Sequence, residues 1–138
     1  MMRQNKNEAG VWIDRRKALA VRLYADPFDV TVIKSDLEGQ VRVKGGSRSR
    51  VPYGPQETSS EKSRDKRFKH YMKKYLQAVI THFKKADRVL IMGPGETRME
   101  LRKEIAKSGS GLQVVKTEAA DKMTAPQFAS LVKRFFHD

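Results

Sequence analysis

Apolar and polar positions recur with two different periods along this chain. In 17–25 (KALAVRLYA), Leu19, Val21 and Leu23 alternate with Ala18, Ala20, Arg22 and Tyr24. That period of two predicts a strand with one apolar face. Residues 11–14 (VWID) form a short apolar run suited to a buried strand, and Asp14-Arg15-Arg16 reads as the tight hairpin turn between them. Residues 28–34 (FDVTVIK) are rich in β-branched side chains and make a third strand. Glu38-Gly39-Gln40 turns the chain, and 41–44 (VRVK) returns it. The first third therefore predicts a four-stranded antiparallel meander, preceded by a polar, frayed tail over 1–9.

The period then changes. Phe68, Tyr71, Met72, Tyr75, Leu76, Val79, Ile80 and Phe83 are spaced alternately three and one apart, which marks one face of a helix. Its expected span is 61–86, about 39 Å at 1.5 Å per residue, with Ser60 as N-cap and Lys84 and Lys85 near its C-terminus. Residues 88–92 (RVLIM) read as a central strand broken by Gly93-Pro94-Gly95, and 96–107 as a helix closed by Gly109 and Gly111. Residues 112–116 (LQVVK) read as a further strand. Thr124 and Gln127 form a capping box ahead of the last helix, whose apolar face is Phe128, Leu131, Val132 and Phe135. Strands that alternate with helices imply crossovers and parallel pairing. The expected fold is α/β: a mixed sheet, antiparallel first and parallel later, with about three helices packed on it.

Composition sharpens the picture. The 138 residues suit a single domain, expected over 10–138, and include no cysteine and three histidines. Disulfides, thiolate zinc sites and cysteine nucleophiles are excluded, and a multi-histidine metal site is disfavoured. No run approaches the length of a membrane span, and 1–10 lacks the apolar core of a secretory signal. A cytoplasmic protein without cofactor or membrane contact is the expectation.

Charge changes the picture more. The formal net charge is +13, which predicts a polyanionic partner, nucleic acid ahead of membrane, unless it serves solubility alone. From Arg42 to Lys74 there are eleven basic residues against three acids, Glu57, Glu61 and Asp65. This segment includes a long loop at 45–60 (GGSRSRVPYGPQETSS), and loops of that length are usually functional or disordered. Glycines let backbone approach a phosphate closely, and serine hydroxyls and arginine forks hold its oxygens. The expected RNA contacts are Gly45, Gly46, Ser47, Arg48, Arg50, Lys62, Arg64, Lys66 and Lys69. Tyr53, between two prolines, either stacks on a base or folds back on the core. The alternative for the whole segment is a solvated helix face.

Two further groups bear on chemistry. The turn carrying Gly93, Gly95 and Thr97 opens a helix, where free N–H groups can bind an anion, although Glu96 opposes phosphate. It matches neither GxGxxG nor a P-loop, and a plain strand-to-helix turn accounts for it. Glu118 and Asp121, with Asp14, could form the carboxylate cluster of a metal-dependent nuclease if the fold gathered them. The alternative is a loop with a capping acid. His70 and His82 lie three turns apart on one helix and cannot share a ligand.

The order of these pieces resembles the middle domain of archaeal and eukaryotic peptide-chain release factors and of the rescue protein Pelota. Trp12-Ile13-Asp14 lies on the first strand. Gly45 to Arg50 with Pro52 to Gln56 forms the loop, and the Gly93-Pro94-Gly95 turn and Ala120 to Thr124 with Gln127 follow. The chain is similar in particular to small stand-alone bacterial relatives of that domain, over about 10–137. The resemblance implies a ribonuclease H-like fold, ribosomal RNA or tRNA as partner and association with the ribosome. Release factors carry Gly-Gly-Gln on this loop, and its glutamine assists hydrolysis of peptidyl-tRNA. Here Gly45 and Gly46 are followed by Ser47, so the resemblance implies a ribosome-associated accessory role without that glutamine, in rescue or stress response. A peptidyl-tRNA hydrolase, the nuclease named above and a protein-interaction module with an acidic partner are the alternatives.

Overall fold

The computed structural model describes residues 7–25, 29–35 and 57–137, with backbone alone over 57–65. The strands are β1 (Glu8–Ile13), β2 (Lys17–Arg22), β3 (Asp29–Lys34), β4 (Arg88–Gly93) and β5 (Gln113–Ala119). The helices are α1 (Glu57–His82), α2 (Thr97–Ser108) and α3 (Ala125–His137). The fourth strand expected at 41–44 lies outside the described residues. The sheet order is β3-β2-β1-β4-β5, with β1–β2 and β2–β3 antiparallel and β1–β4 and β4–β5 parallel. This mixed sheet is the expected ribonuclease H-like α/β arrangement.

All six residues of β1 are buried, because both faces of the sheet are covered. Ala9, Val11 and Ile13 share a cluster with Val89, Ile91 and the apolar faces of α1 and α2. Trp12 lies on the opposite face with Leu90, Met92, Phe128 and Val132, under α3. The same division corrects the expectation of one apolar face for β2. Ala18 and Ala20 pack with α1, while Leu19 and Val21 pack with α3. Alanine reads as a weak apolar signal in the sequence, yet its small side chain suits the α1 face, where Tyr75, Leu76 and Phe83 are bulky.

Boundaries moved where the apolar pattern was silent. β1 starts at Glu8, inside the stretch expected to fray. The Glu8 carboxylate pairs there with Arg88, and His137 Nε2 lies 3.3 Å from its other oxygen. α1 has 26 residues and starts at Glu57, so Ser60 is an interior residue and not the N-cap. No apolar residue between Glu57 and Phe68 signals that start. At the other end, Phe83 and Lys84 donate to Ile80 and Thr81 carbonyls in a tightened turn, so Lys84 and Lys85 follow the helix. The Thr124–Gln127 capping box forms as expected, with reciprocal bonds of 2.9 and 3.2 Å at the start of α3. α2 ends on Gly109 at φ 68°, the left-handed conformation that favours glycine.

At the amino end of the parallel strands, Arg22 forms a two-point ion pair with Asp29, at 2.6 and 3.2 Å. Tyr24 and His82 complete the group, and His82 Nε2 has no hydrogen-bond partner among the described residues. The bond from Arg22 holds the Asp29 carboxyl below its ordinary range. Burial, reinforced by the Arg22 charge and opposed by Asp29, holds His82 below the ordinary histidine value.

Gly93 positions the carboxyl ends of β1 and β4. A Cβ there would lie 2.1 Å from the Ile13 carbonyl oxygen, and its φ of +157° is one that other residues rarely adopt. Gly95, two residues on, has open space around it. Gly93→Ala should therefore destabilise the fold by about 3 kcal/mol, while Gly95→Ala stays within about 0.5 kcal/mol, as measured by urea unfolding. A second outcome concerns pH. With the His82 pKa depressed in the folded state, the unfolded chain takes up the proton first. Stability should fall as pH drops below about 6.5, and His82→Gln should flatten that dependence in urea midpoints taken from pH 7.5 to 5.5.

Candidate nucleic-acid interface

The middle of α1 projects its charges outward around a core-facing stripe. Met72, Tyr75, Leu76 and Val79 are buried against the sheet, which leaves Lys66, Arg67, Lys69, His70, Lys73 and Lys74 exposed. From 66 to 74 (KRFKHYMKK) there are five Lys or Arg side chains and no acid. Spacing divides them into two flanks of the helix: Lys66, Lys69 and Lys73 on one, and Arg67, Tyr71 and Lys74 on the other. Tyr71 is half-buried, with Lys74 Nζ 5.9 Å from its ring centre and the His70 ring edge-on at 5.4 Å.

The β1–β2 turn lies beside this helix and is held from several directions. Asp14 Oδ1 accepts the backbone N–H groups of Arg16 and Lys17 at 2.8 and 2.9 Å. The Asp14 N–H donates to the Lys17 carbonyl at 3.0 Å, and Ser35 N–H to the Arg16 carbonyl at 2.9 Å. From α1, the Tyr75 hydroxyl donates to the Asp14 carbonyl at 2.9 Å. Burial, and then the neighbouring Asp14 charge, push the Tyr75 phenol well above its ordinary pKa, so it remains a donor. Arg15 is exposed on this turn, and its guanidinium carbon lies 5.1 Å from the centre of the Phe68 ring.

The expected contacts divide as follows. Gly45, Gly46, Ser47, Arg48, Arg50 and Tyr53 lie outside the described residues. Lys62 and Arg64 fall within α1, and Lys66 and Lys69 are exposed on it. Sequence reasoning missed Arg15 as a partner of this face. The Arg15-Arg16-Lys17 run was a signal, but nothing local tied it to a helix fifty residues away.

At the Gly93-Pro94-Gly95 turn, Thr97 is buried at 4% exposure and the Arg98 guanidinium donates to the Gly95 carbonyl. Glu96 is the N-cap residue of α2, without a side-chain capping bond. The carboxylates Asp14, Glu118 and Asp121 are not gathered into a cluster. Asp14 serves the turn, Glu118 lies on β5 with Lys116 Nζ at 3.3 Å, and Asp121 contributes its carbonyl to Trp12 Nε1 at 3.0 Å. Among the described residues no group of three His, Asp or Glu could hold a metal ion, and no helix is long and apolar enough to cross a membrane.

No family model matches the chain, and no curated protein matches it. Among solved structures, an archaeal translation termination factor, aRF1, is similar at a TM-score of 0.46 and 13% identity, over 91% of this chain and 33% of that one. The chain thus spans about a third of that protein's length.

The Tyr75 tether has a measurable role. Tyr75→Phe should cost about 1 kcal/mol in urea unfolding and accelerate amide exchange at Arg16 and Lys17, while the core packing of the ring is kept.

Proposed function

We propose that this chain is an RNA-binding, ribosome-associated translation accessory protein of the cytoplasm, acting in ribosome rescue or a stress response without hydrolysing peptidyl-tRNA. The observation that carries the reading is the acid-free basic stretch 66–74 on α1, with Lys66, Arg67, Lys69, Lys73 and Lys74 all exposed. A face of one sign without acids attracts a polyanion, and lysine and arginine there release counterions from phosphates on binding. In sequence this stretch follows Gly45 to Arg50, the loop that resembles the Gly-Gly-Gln loop of release factors. Gly45 and Gly46 let that loop approach RNA, Arg48 and Arg50 contact phosphate, and Tyr53 stacks on a base. Lys62, Arg64, Lys66 and Lys69 extend the contact along the helix. Ser47 in the glutamine position removes the group that assists hydrolysis in release factors, which is why a binding role is preferred to an enzymatic one.

Ribosome co-sedimentation tests this reading. The protein should pellet with ribosomes in low salt and be released as salt rises. Arg48→Ala with Arg50→Ala should weaken RNA binding at every sequence. The slope of log affinity against log salt should fall by about one unit for each phosphate that is no longer neutralised. An unchanged slope would remove those two arginines from the interface. Salt-insensitive pelleting would point to a protein partner, and cleavage of peptidyl-tRNA by the purified chain would overturn the non-hydrolytic assignment.

A further inference from the structure

We propose that the β1–β2 turn and the adjoining flank of α1 form a stacking site for an unpaired nucleotide of the bound RNA. The base lies against the outward side of the Arg15 guanidinium, and its phosphates meet Arg67 and Lys74. This rests on the RNA-binding reading and extends it from a phosphate-binding face to recognition of single-stranded RNA.

Three observations carry it. First, Arg15 is exposed, yet the backbone around it is over-determined: the Asp14 carboxylate, the Ser35 N–H and the Tyr75 hydroxyl all hold the turn. A solvent-facing hairpin tip needs none of this for solubility. Restraint of this kind lowers the entropy cost when the side chain engages a ligand. Second, Arg15 lies over the Phe68 ring at 5.1 Å, so an aromatic surface backs the cation from behind and limits where it can point. An arginine placed on a ring still offers a flat, weakly hydrated side to a nucleobase, and stacking on guanidinium planes is a recurring mode of single-stranded RNA recognition. Third, the same flank carries Tyr71 with Lys74 at 5.9 Å and His70 edge-on at 5.4 Å. Aromatic groups interleaved with cations suit a strand that presents both bases and phosphates. A duplex keeps its bases stacked on one another and would use only the charges.

The site differs from the one expected on the loop. It uses Arg15, Arg67, Phe68, Tyr71 and Lys74, none of which the loop reading assigns, and it draws on a strand turn and a helix that are fixed to each other.

The test measures affinity and its salt slope for three probes: an oligo(A) RNA, the abasic strand with the same phosphates, and the A·U duplex of equal length. The parent should prefer oligo(A) to the abasic strand by about tenfold. Arg15→Ala should abolish that preference with little change in the salt slope, because Arg67 and Lys74 meet the phosphates. Arg15→Lys should keep the slope but still lose the preference, because an ammonium cannot stack. Phe68→Leu, which keeps apolar packing, should reduce the preference while far-ultraviolet circular dichroism and the melting transition remain those of a folded chain. Equal parental affinity for oligo(A) and the abasic strand would overturn the stacking site. So would an equal weakening on all three probes in Arg15→Ala, or full recovery by Arg15→Lys. In each case RNA binding itself would stand. Failure of the parent to bind any of the three would overturn both readings together.

Discussion

β1 is enclosed on all sides: β2 and β4 take its two hydrogen-bonding edges, α1 and α2 cover one face, and α3 covers the other. A six-residue strand can satisfy these demands only if every position is apolar, small or paired. Glu8 is the paired exception and is held by Arg88. Gly10 is the small one, since a Cβ there would lie 2.5 Å from Val132 Cγ2 of α3. Gly93 plays the corresponding part on β4, against Ile13. Gly10 lets α3 come close over β1 and Gly93 lets β4 come close beside it, with Trp12, Val11 and Ile13 wholly buried, and such dense packing fixes where each strand ends.

Those ends give the molecule two unlike poles. At the carboxyl end of β1, Asp14 and Tyr75 hold a turn that points an arginine at the basic flank of α1. At the amino end, acidic groups take part: Asp29 meets Arg22, and Glu8 meets Arg88 and His137. Positive charge is thus balanced locally at one pole and left unopposed along 66–74. Net charge alone carries no direction. The distribution gives it one, toward the 66–74 stretch of α1, and the proposed contacts rest on that stretch and the fixed turn beside it.

Much of this was legible from periodicity. The eight apolar positions from Phe68 to Phe83 gave the body of α1, the Thr124–Gln127 pair gave the start of α3, and alternation gave the strands. What periodicity could not supply were features that depend on a distant partner. The alanines of β2 carry too little hydrophobicity to announce a second buried face, although α1 covers it. Glu8 looks like part of a polar tail until Arg88 and His137 are brought to it from across the fold. Glu57 to Asp65 has no apolar residue to show that the helix has begun. Arg15 is an ordinary turn residue until α1 places Phe68 beneath it. In each case the missing information was a contact between segments far apart in sequence.

The pairing of β1 with β4 joins residues 80 apart in the chain. During synthesis at roughly 5–20 residues per second, the first strand waits roughly 4–16 s for its parallel neighbour to be made. In that interval the β1–β2–β3 hairpins carry apolar side chains on both faces, Trp12 and Leu19 on one and Val11 and Ala20 on the other. Neither α3 nor β4 yet exists to cover them. The enclosed centre that orders the finished protein is therefore also its slowest and most exposed step to assemble, since non-local pairing delays folding. Until α3 is made, the face that carries Trp12 and Leu19 lacks the cover it has in the finished fold.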